Sequence, residues 1–367
     1  MSTGLNPALA VILGGFLLAL VFGFVASRSN FCIMGAVSDV VNMQHWGRMR
    51  LWMLSVAVAI GLTSLLALSG QIDLTKSVYQ RPLIPWLSLL LGGVMFGVGM
   101  TIAGGCPNKN LIRLGGGSLR SLVVLVFLGI ASYMTLKGLF AQWRVSWLDP
   151  VAIDLSAMGL QQQGLGAIVA RVTGLSAAVA LAGTAALVAL GLLTFVFKDG
   201  AFRGEPAQVG AGLALGLLVA GGWYLTGHIG FGESPETLED VYFATNTRTL
   251  ESLSFVAPIA YSLEMLLLWT DKSLRMTFGI ASVLGTVVGA CIESVISRRF
   301  RWEGFASLQD LRQNLLGAVL MGAGGVTAIG CTIGQGLSGL STLAVGSMIA
   351  VAGIVAGSAL TMKWLQR

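Results

Sequence analysis

The chain is 367 residues long, 55% hydrophobic and 10% charged, with a formal net charge of +6 and a mean hydropathy of +0.83. A soluble domain carries about 25% charged residues, so this composition excludes an ordinary soluble enzyme and points to a body dissolved in lipid. The positive balance does not mark a nucleic-acid binder, because Lys and Arg lie mainly in short loops between apolar segments, where topology signals sit.

A bilayer crossing takes about 20 mostly apolar residues. On that measure the sequence predicts nine spans, near 7–27, 50–69, 83–105, 118–140, 175–197, 208–228, 274–296, 313–330 and 342–363. The first run has no basic residue before it and no A-x-A site after it, and reads as a retained helix. Two shorter apolar pieces, Phe31 to Val41 and Phe255 to Trp269, cannot cross, and neither can the Gly-rich pieces after Cys106 and Cys331. All four read as re-entrant.

An internal repeat organises these pieces. Leu90-Leu91-Gly92, Val94, Gly97, Gly99, Ala103 and Gly105-Cys106 recur as Leu315-Leu316-Gly317, Val319, Gly322, Gly324, Ala328 and Gly330-Cys331, at an offset of 225. Nearly the same offset pairs Phe31 with Phe255, and the span near 7–27 with that near 208–228. The chain therefore divides into a first membrane repeat (1–145), a linker with a connecting helix (146–207) and a second repeat (208–367). One unpaired span between two four-span halves inverts the second half relative to the first. The expected fold is an all-α integral membrane protein with about nine transmembrane helices, re-entrant short helices and two inverted-topology repeats, an architecture that places substrate where the halves meet.

Basic residues give an orientation. Arg28, Arg48, Arg50, Lys109, Arg113, Arg120, Lys198, Arg203, Arg298, Arg299, Arg301, Arg312, Lys363 and Arg367 fall on one side, which the positive-inside rule makes cytoplasmic. The other side carries Lys76, Arg81, Arg144, Arg171 and Arg248, and also the acidic loop of Glu233, Glu236, Glu239, Asp240 and Glu251. The N-terminus is then expected outside and the C-terminus inside.

Non-helical backbone persists at membrane depth only where it is buried in protein or lines a polar path, so the inserts are the expected pore wall. Three of the four cysteines sit in them. Cys106 and Cys331 occupy the same repeat position, each after a Gly at the end of a span. Cys32 lies in the first short insert, opposite Val256 in the second half, so that thiol exists once. A single buried Cys is commonly only a small hydrophobe, and Cys291, in mid-span, is read that way. A protonated thiol is a weak donor, and conduction needs sites loose enough to release the ion. The N-termini of the short helices, at Pro107-Asn108-Lys109-Asn110 and Thr332-Ile333-Gly334-Gln335-Gly336, would add dipole attraction for an anion. Gln335 is a candidate contact there, and Arg28, Lys109 and Arg113 are candidate receivers at the cytoplasmic mouth. Glu264, in the second short insert, has no evident partner. No C-x-x-C pair and no cofactor motif is present, so no cofactor is expected.

Ser27-Arg28-Ser29-Asn30-Phe31-Cys32, Ala103-Gly104-Gly105-Cys106 with Arg113-Leu114-Gly115, and Gly330-Cys331-Thr332-Ile333-Gly334-Gln335-Gly336-Leu337-Ser338-Gly339 together resemble the YeeE/YedE sulfur-transport family. The resemblance implies bacterial inner-membrane uptake of thiosulfate or a related sulfur anion, relayed by Cys32, Cys106 and Cys331, with a small TusA-like cytosolic sulfur carrier as partner. Pro107-Asn108-Lys109-Asn110 departs from thiosulfate-importing members, which tend to carry smaller, uncharged residues there; some similar sequences are associated with selenium. Two other classes compete: a membrane thiol enzyme working through persulfides or disulfides, and a soft-metal transporter, for which 14 methionines and four cysteines would argue.

Overall fold

The computed structural model describes residues 6–233 and 238–366, so Glu236 of the acidic loop lies outside the described residues. In chain order the helices are α1 (Pro7–Arg28), α2 (Ile33–Met43), α3 (Gly47–Leu68), α4 (Trp86–Ile102), α5 (Pro107–Gly115), α6 (Leu119–Leu136), α7 (Leu139–Trp143), α8 (Leu165–Thr173), α9 (Ala177–Phe197), α10 (Gly200–Arg203), α11 (Pro206–Tyr224), α12 (Val256–Leu267), α13 (Phe278–Ile296), α14 (Leu308–Thr327) and α15 (Val345–Leu365). Sheet among the described residues is limited to two antiparallel ribbons in the loops, β1 (Leu83–Ile84) with β2 (Ile153–Asp154) and β3 (Phe231–Glu233) with β4 (Asp240–Tyr242). The fold is all-α, one of the two solutions a bilayer allows, since helices satisfy their own backbone groups.

Eight helical stretches, containing α1, α3, α4, α6, α9, α11, α13 and α15, are long and apolar enough to cross a membrane. The ninth expected span, α14, has the length but not the apolarity, because its first turns carry Asp310 and Arg312. Its charge is compensated locally: Arg120 at the start of α6 pairs with Asp310 at 3.1 Å and donates to Asn314 at 3.2 Å. Such pairing lets a polar helix start lie against its neighbours at a small cost. The expected re-entrant inserts are present as short helices at α2, α5 and α12, and the fourth, after Cys331, is a π-helical turn at Gly334–Gly339.

The two halves interlock. α1 packs on α13, and its repeat counterpart α11 packs on α3; α4 packs on α15, and its counterpart α14 packs on α6. Each contact thus has a mate generated by exchanging the halves. The counterparts α4 and α14 cross at the centre. A Cβ on Gly99 would lie 2.7 Å from the Gly317 carbonyl oxygen, one on Gly317 2.6 Å from that of Gly99, and one on Gly324 2.7 Å from that of Gly92. Residues rising along α4 meet residues falling along α14, so the counterparts run antiparallel. α1 instead runs parallel to α13, Gly15 lying at Phe278 and Gly23 at Thr286. Opposed counterparts with symmetric contacts are the geometry of an inverted repeat. Small residues make it feasible, because helices in lipid associate by close backbone approach.

The loops close the two ends. At the basic end, Leu119 N–H donates to Glu303 O (2.9 Å), Arg301 N–H to Gly116 O (3.0 Å), and Arg50 pairs with Asp199 at 2.5 Å. At the opposite end, Ser77 bridges Leu250, Gly164 bridges Ala344, and β1 pairs with β2.

Candidate functional site

Each of the three insert cysteines follows the same local device. Two residues before it the chain turns through the left-handed region, at Asn30 (φ 53°), Gly104 (φ 65°) and Ile329 (φ 56°). Asn and Gly tolerate that region, whereas a β-branched Ile there is strained. The chain then re-enters a short helix or helical turn with the cysteine at its start. Cys32 caps α2, its sulfur accepting from the Gly35 N–H at 3.4 Å, and the Cys331 sulfur accepts from the Gly334 N–H at the same distance. Cys106 caps α5, with Pro107 at the first helical position, where its missing N–H costs nothing. Each sulfur therefore sits where free N–H groups and a helix dipole favour negative charge.

Packing brings the three turns together, and all three cysteines are buried, at 5%, 1% and 0% exposure for Cys32, Cys106 and Cys331. The Cys32 and Cys106 side chains are near neighbours, and Thr332, next to Cys331, neighbours Cys106 without a hydrogen bond to it. The π-helical turn spans the gap between the inserts. Its Gly334 abuts the hydroxyls of Ser254 and Tyr79, while Gly336 meets Ile33, beside Cys32, and its carbonyl accepts from Trp52 Nε1 at 2.9 Å. α12, the counterpart of α2, begins at Phe255 with neither a thiol nor a left-handed residue before it.

The other expected site residues divide into two groups. Lys109 and Arg113 lie near Cys32, with Lys109 Nζ donating to Asn30 Oδ1 at 3.2 Å and both side chains lying over Gly105. Arg28 is elsewhere: it lines a separate cavity of 250 Å³ between α1 and α11, with Ser29 and Gln208. Gln335 is buried, its Nε2 donating to Ala328 O at 2.6 Å while Oε1 has no partner. Cys291 packs where Gly115 of α5 meets α13. Glu264 does have partners: the Tyr133 hydroxyl donates to it at 2.7 Å and Lys137 pairs with it at 3.1 Å. Both come from the far end of α6, whose approach to α12 is invisible until the repeat folds. His45 and His228 are exposed at helix ends, His228 stacked on Tyr224.

Two residues of the site, Glu293 and Tyr79, escaped the sequence reading, and two more, Asn108 and Thr332, entered it only as parts of helix starts. Asn108, two residues after Cys106, is buried with neither amide atom partnered, and the buried Thr332 hydroxyl is likewise unpartnered. Their adjacency to the cysteines was the available signal. Glu293 of α13 accepts from Ser27 at 2.6 Å and so ties the turn leading to Cys32. Tyr79, from the loop between α3 and α4, stacks edge-on against Trp223 with its hydroxyl over the Cys331 turn. Among the described residues, no three His, Cys, Asp or Glu side chains gather at metal-binding spacing.

A buried line of thiols at helix starts, with unpartnered polar atoms beside it, suits a soft anion better than a hard cation. A family model for sulphur transport matches residues 28–360. The chain belongs to the sulphur transport family. The expected resemblance thus holds across the three cysteine motifs. Two relatives agree: a thiosulfate transporter TsuA of Spirochaeta thermophila is 26% identical over 358 residues, covering 96% of this chain and 98% of its own. The thiosulfate transporter TsuA of Escherichia coli is 26% identical over 342 residues, covering 89% and 87% respectively.

Proposed function

We propose that this member of the family imports thiosulfate, or a closely related sulfur anion, across the bacterial inner membrane, handing it from Cys331 to Cys106 to Cys32. The reading is carried by the convergence of three buried cysteines, each leading into a short helix or helical turn, with the Cys32 and Cys106 side chains near neighbours. A thiol donates weakly, so each step holds the anion loosely enough to release it. The unpartnered Asn108 amide and Thr332 hydroxyl supply the stronger donors that an anion replacing its hydration shell needs. Lys109 and Arg113 then receive it at the basic end, taken as cytoplasmic, with the N-terminus outside and a TusA-like carrier as acceptor. The relatives' names support the substrate class.

Uptake of radiolabelled thiosulfate by cells carrying Cys106→Ala, Cys32→Ala or Cys331→Ala tests the relay. The expected result is loss of uptake with normal membrane expression; uptake at the wild-type rate in Cys106→Ala removes the mechanism. A second reading has a cysteine thiolate attack the outer sulfur of thiosulfate, breaking its S–S bond, releasing sulfite and leaving a persulfide; mass spectrometry would detect that adduct, where hydrogen-bonded relay leaves none.

A further inference from the structure

α1 and α11 run antiparallel and meet closely at one end only. A Cβ on Gly14 would lie 2.7 Å from Leu225 Cδ1, just past α11, and one on Gly221 3.1 Å from Leu18 Cδ1, yet around Gly210, near the start of α11, no described atom stands within 4 Å. The two helices therefore splay toward the basic end, and the 250 Å³ cavity that holds Arg28 is the mouth of that V. Phe24, Val25, Ala211 and Ala214 make its apolar walls, and Arg28 and Gln208 line it at the helix ends. On α1, Leu17, Val21, Phe24 and Arg28 recur at helical spacing, so an exposed apolar stripe runs into the cavity and ends on the cation. Exposed Leu213 and Leu217 flank it on α11.

The polar groups of the cavity are incompletely used. Arg28 is exposed and makes no ion pair among the described residues. Glu293 of α13 stands near both Arg28 and Arg299, but its two oxygens accept from the hydroxyls of Ser27 and Ser297, each at 2.6 Å. No acidic side chain among the described residues lines the cavity itself. Gln208 Oε1 is buried without a donor, while the Ser29 hydroxyl is occupied with Val25 O at 2.8 Å. The cavity thus offers a cation for an anionic group and a buried acceptor that calls for a donor, beside an apolar cleft open to the bilayer. A free inorganic anion satisfies only the first of these, and a hydrocarbon tail only the last.

We infer that this cleft binds one anionic glycerophospholipid of the leaflet at the basic end, its phosphate on Arg28, a headgroup hydroxyl donating to Gln208 Oε1 and one acyl chain lying between α1 and α11. Basic pockets between transmembrane helices hold lipid headgroups in this way. Phosphatidylglycerol has all three features, whereas phosphatidylethanolamine brings a second cation toward Arg28. The lipid bears on the cysteine site mechanically. Ser29, in the cavity wall, passes directly into the left-handed Asn30 turn that leads to Cys32, so a filled V braces that turn. Binding of this lipid is independent of what the protein transports.

Native mass spectrometry of the full-length protein released from detergent micelles, with phosphatidylglycerol or phosphatidylethanolamine added at equal concentration, tests the site. One phosphatidylglycerol is retained about fivefold or more over phosphatidylethanolamine. Arg28→Gln removes that preference and Arg28→Lys keeps most of it. Gln208→Leu weakens retention of phosphatidylglycerol but not of phosphatidic acid, which lacks the headgroup hydroxyls, and Ala214→Phe fills the cleft and excludes both. Phosphatidylglycerol also raises the thermal midpoint of the wild-type protein by about 2 °C or more and leaves that of Arg28→Gln unmoved. Equal retention of phosphatidylglycerol and phosphatidylethanolamine by the wild-type protein, or full preference in both Arg28→Gln and Ala214→Phe, overturns the site. Wild-type uptake by Cys106→Ala would instead remove the relay and leave this site standing.

Discussion

Asn108 shows what a single residue contributes here. Its amide is buried with no partner on either atom, a state that costs about 1–3 kcal/mol and is tolerated where a ligand completes the bonding. Asn108→Leu is therefore expected to raise the thermal midpoint by about 2–4 °C, measured in detergent, while lowering thiosulfate uptake about tenfold, the equivalent of one lost hydrogen bond to an anion. A drop in both would mean that Asn108 is structural. The motif made Cys32, Cys106 and Cys331 legible in the sequence, but nothing in it distinguished Asn108 from a helix-start residue. Its significance comes from the absence of hydrogen-bond partners, and partners are set by tertiary packing. Arg28 illustrates the reverse: adjacent to Cys32 in sequence, it lines a different cavity because α1 ends before the chain reverses at Asn30.

At the scale of the element, glycine spacing decides which helix faces touch. A Cβ on Gly289 of α13 would stand 1.9 Å from the Leu20 carbonyl oxygen of α1, whereas around Gly191 of α9 there is open space. Gly289→Val accordingly costs more than about 3 kcal/mol and abolishes the monodisperse peak in size-exclusion chromatography; Gly191→Ala leaves the peak intact. The short helices teach the same lesson about legibility. Their existence followed from apolar runs too short to cross, and α2 and α12 appear where expected. The π-helical geometry after Cys331 was not readable, since Gly-rich backbone accepts several helical forms and packing against Trp52, Tyr79 and Ser254 selects among them.

For the whole molecule, inversion of the repeat makes a statement about topology that labelling can check. In a Cys291→Ser background, Lys76→Cys, exposed in the loop between α3 and α4, should react with an impermeant maleimide added to intact cells, and Lys198→Cys, exposed after α9, only after lysis. Reaction at both positions in intact cells, or the reverse pattern, would refute the orientation. The contact symmetry of α1 on α13 with α11 on α3 means that neither half has a complete set of neighbours alone. The cysteine site inherits this dependence, with Cys106 and Thr332 contributed from opposite halves.

Composition, span length, the 225-residue offset and the cysteine motifs determined the class of the molecule, its duplication and its family, because each depends on hydrophobic content or local chain order. Which charges pair was decided only by the fold: Glu264 found Lys137, Arg144 found Asp149, and Arg81 makes no ion pair among the described residues. Pair formation joins residues as distant in sequence as Arg120 and Asp310. Such distances are closed by helix packing, and a linear reading of charge has no access to them.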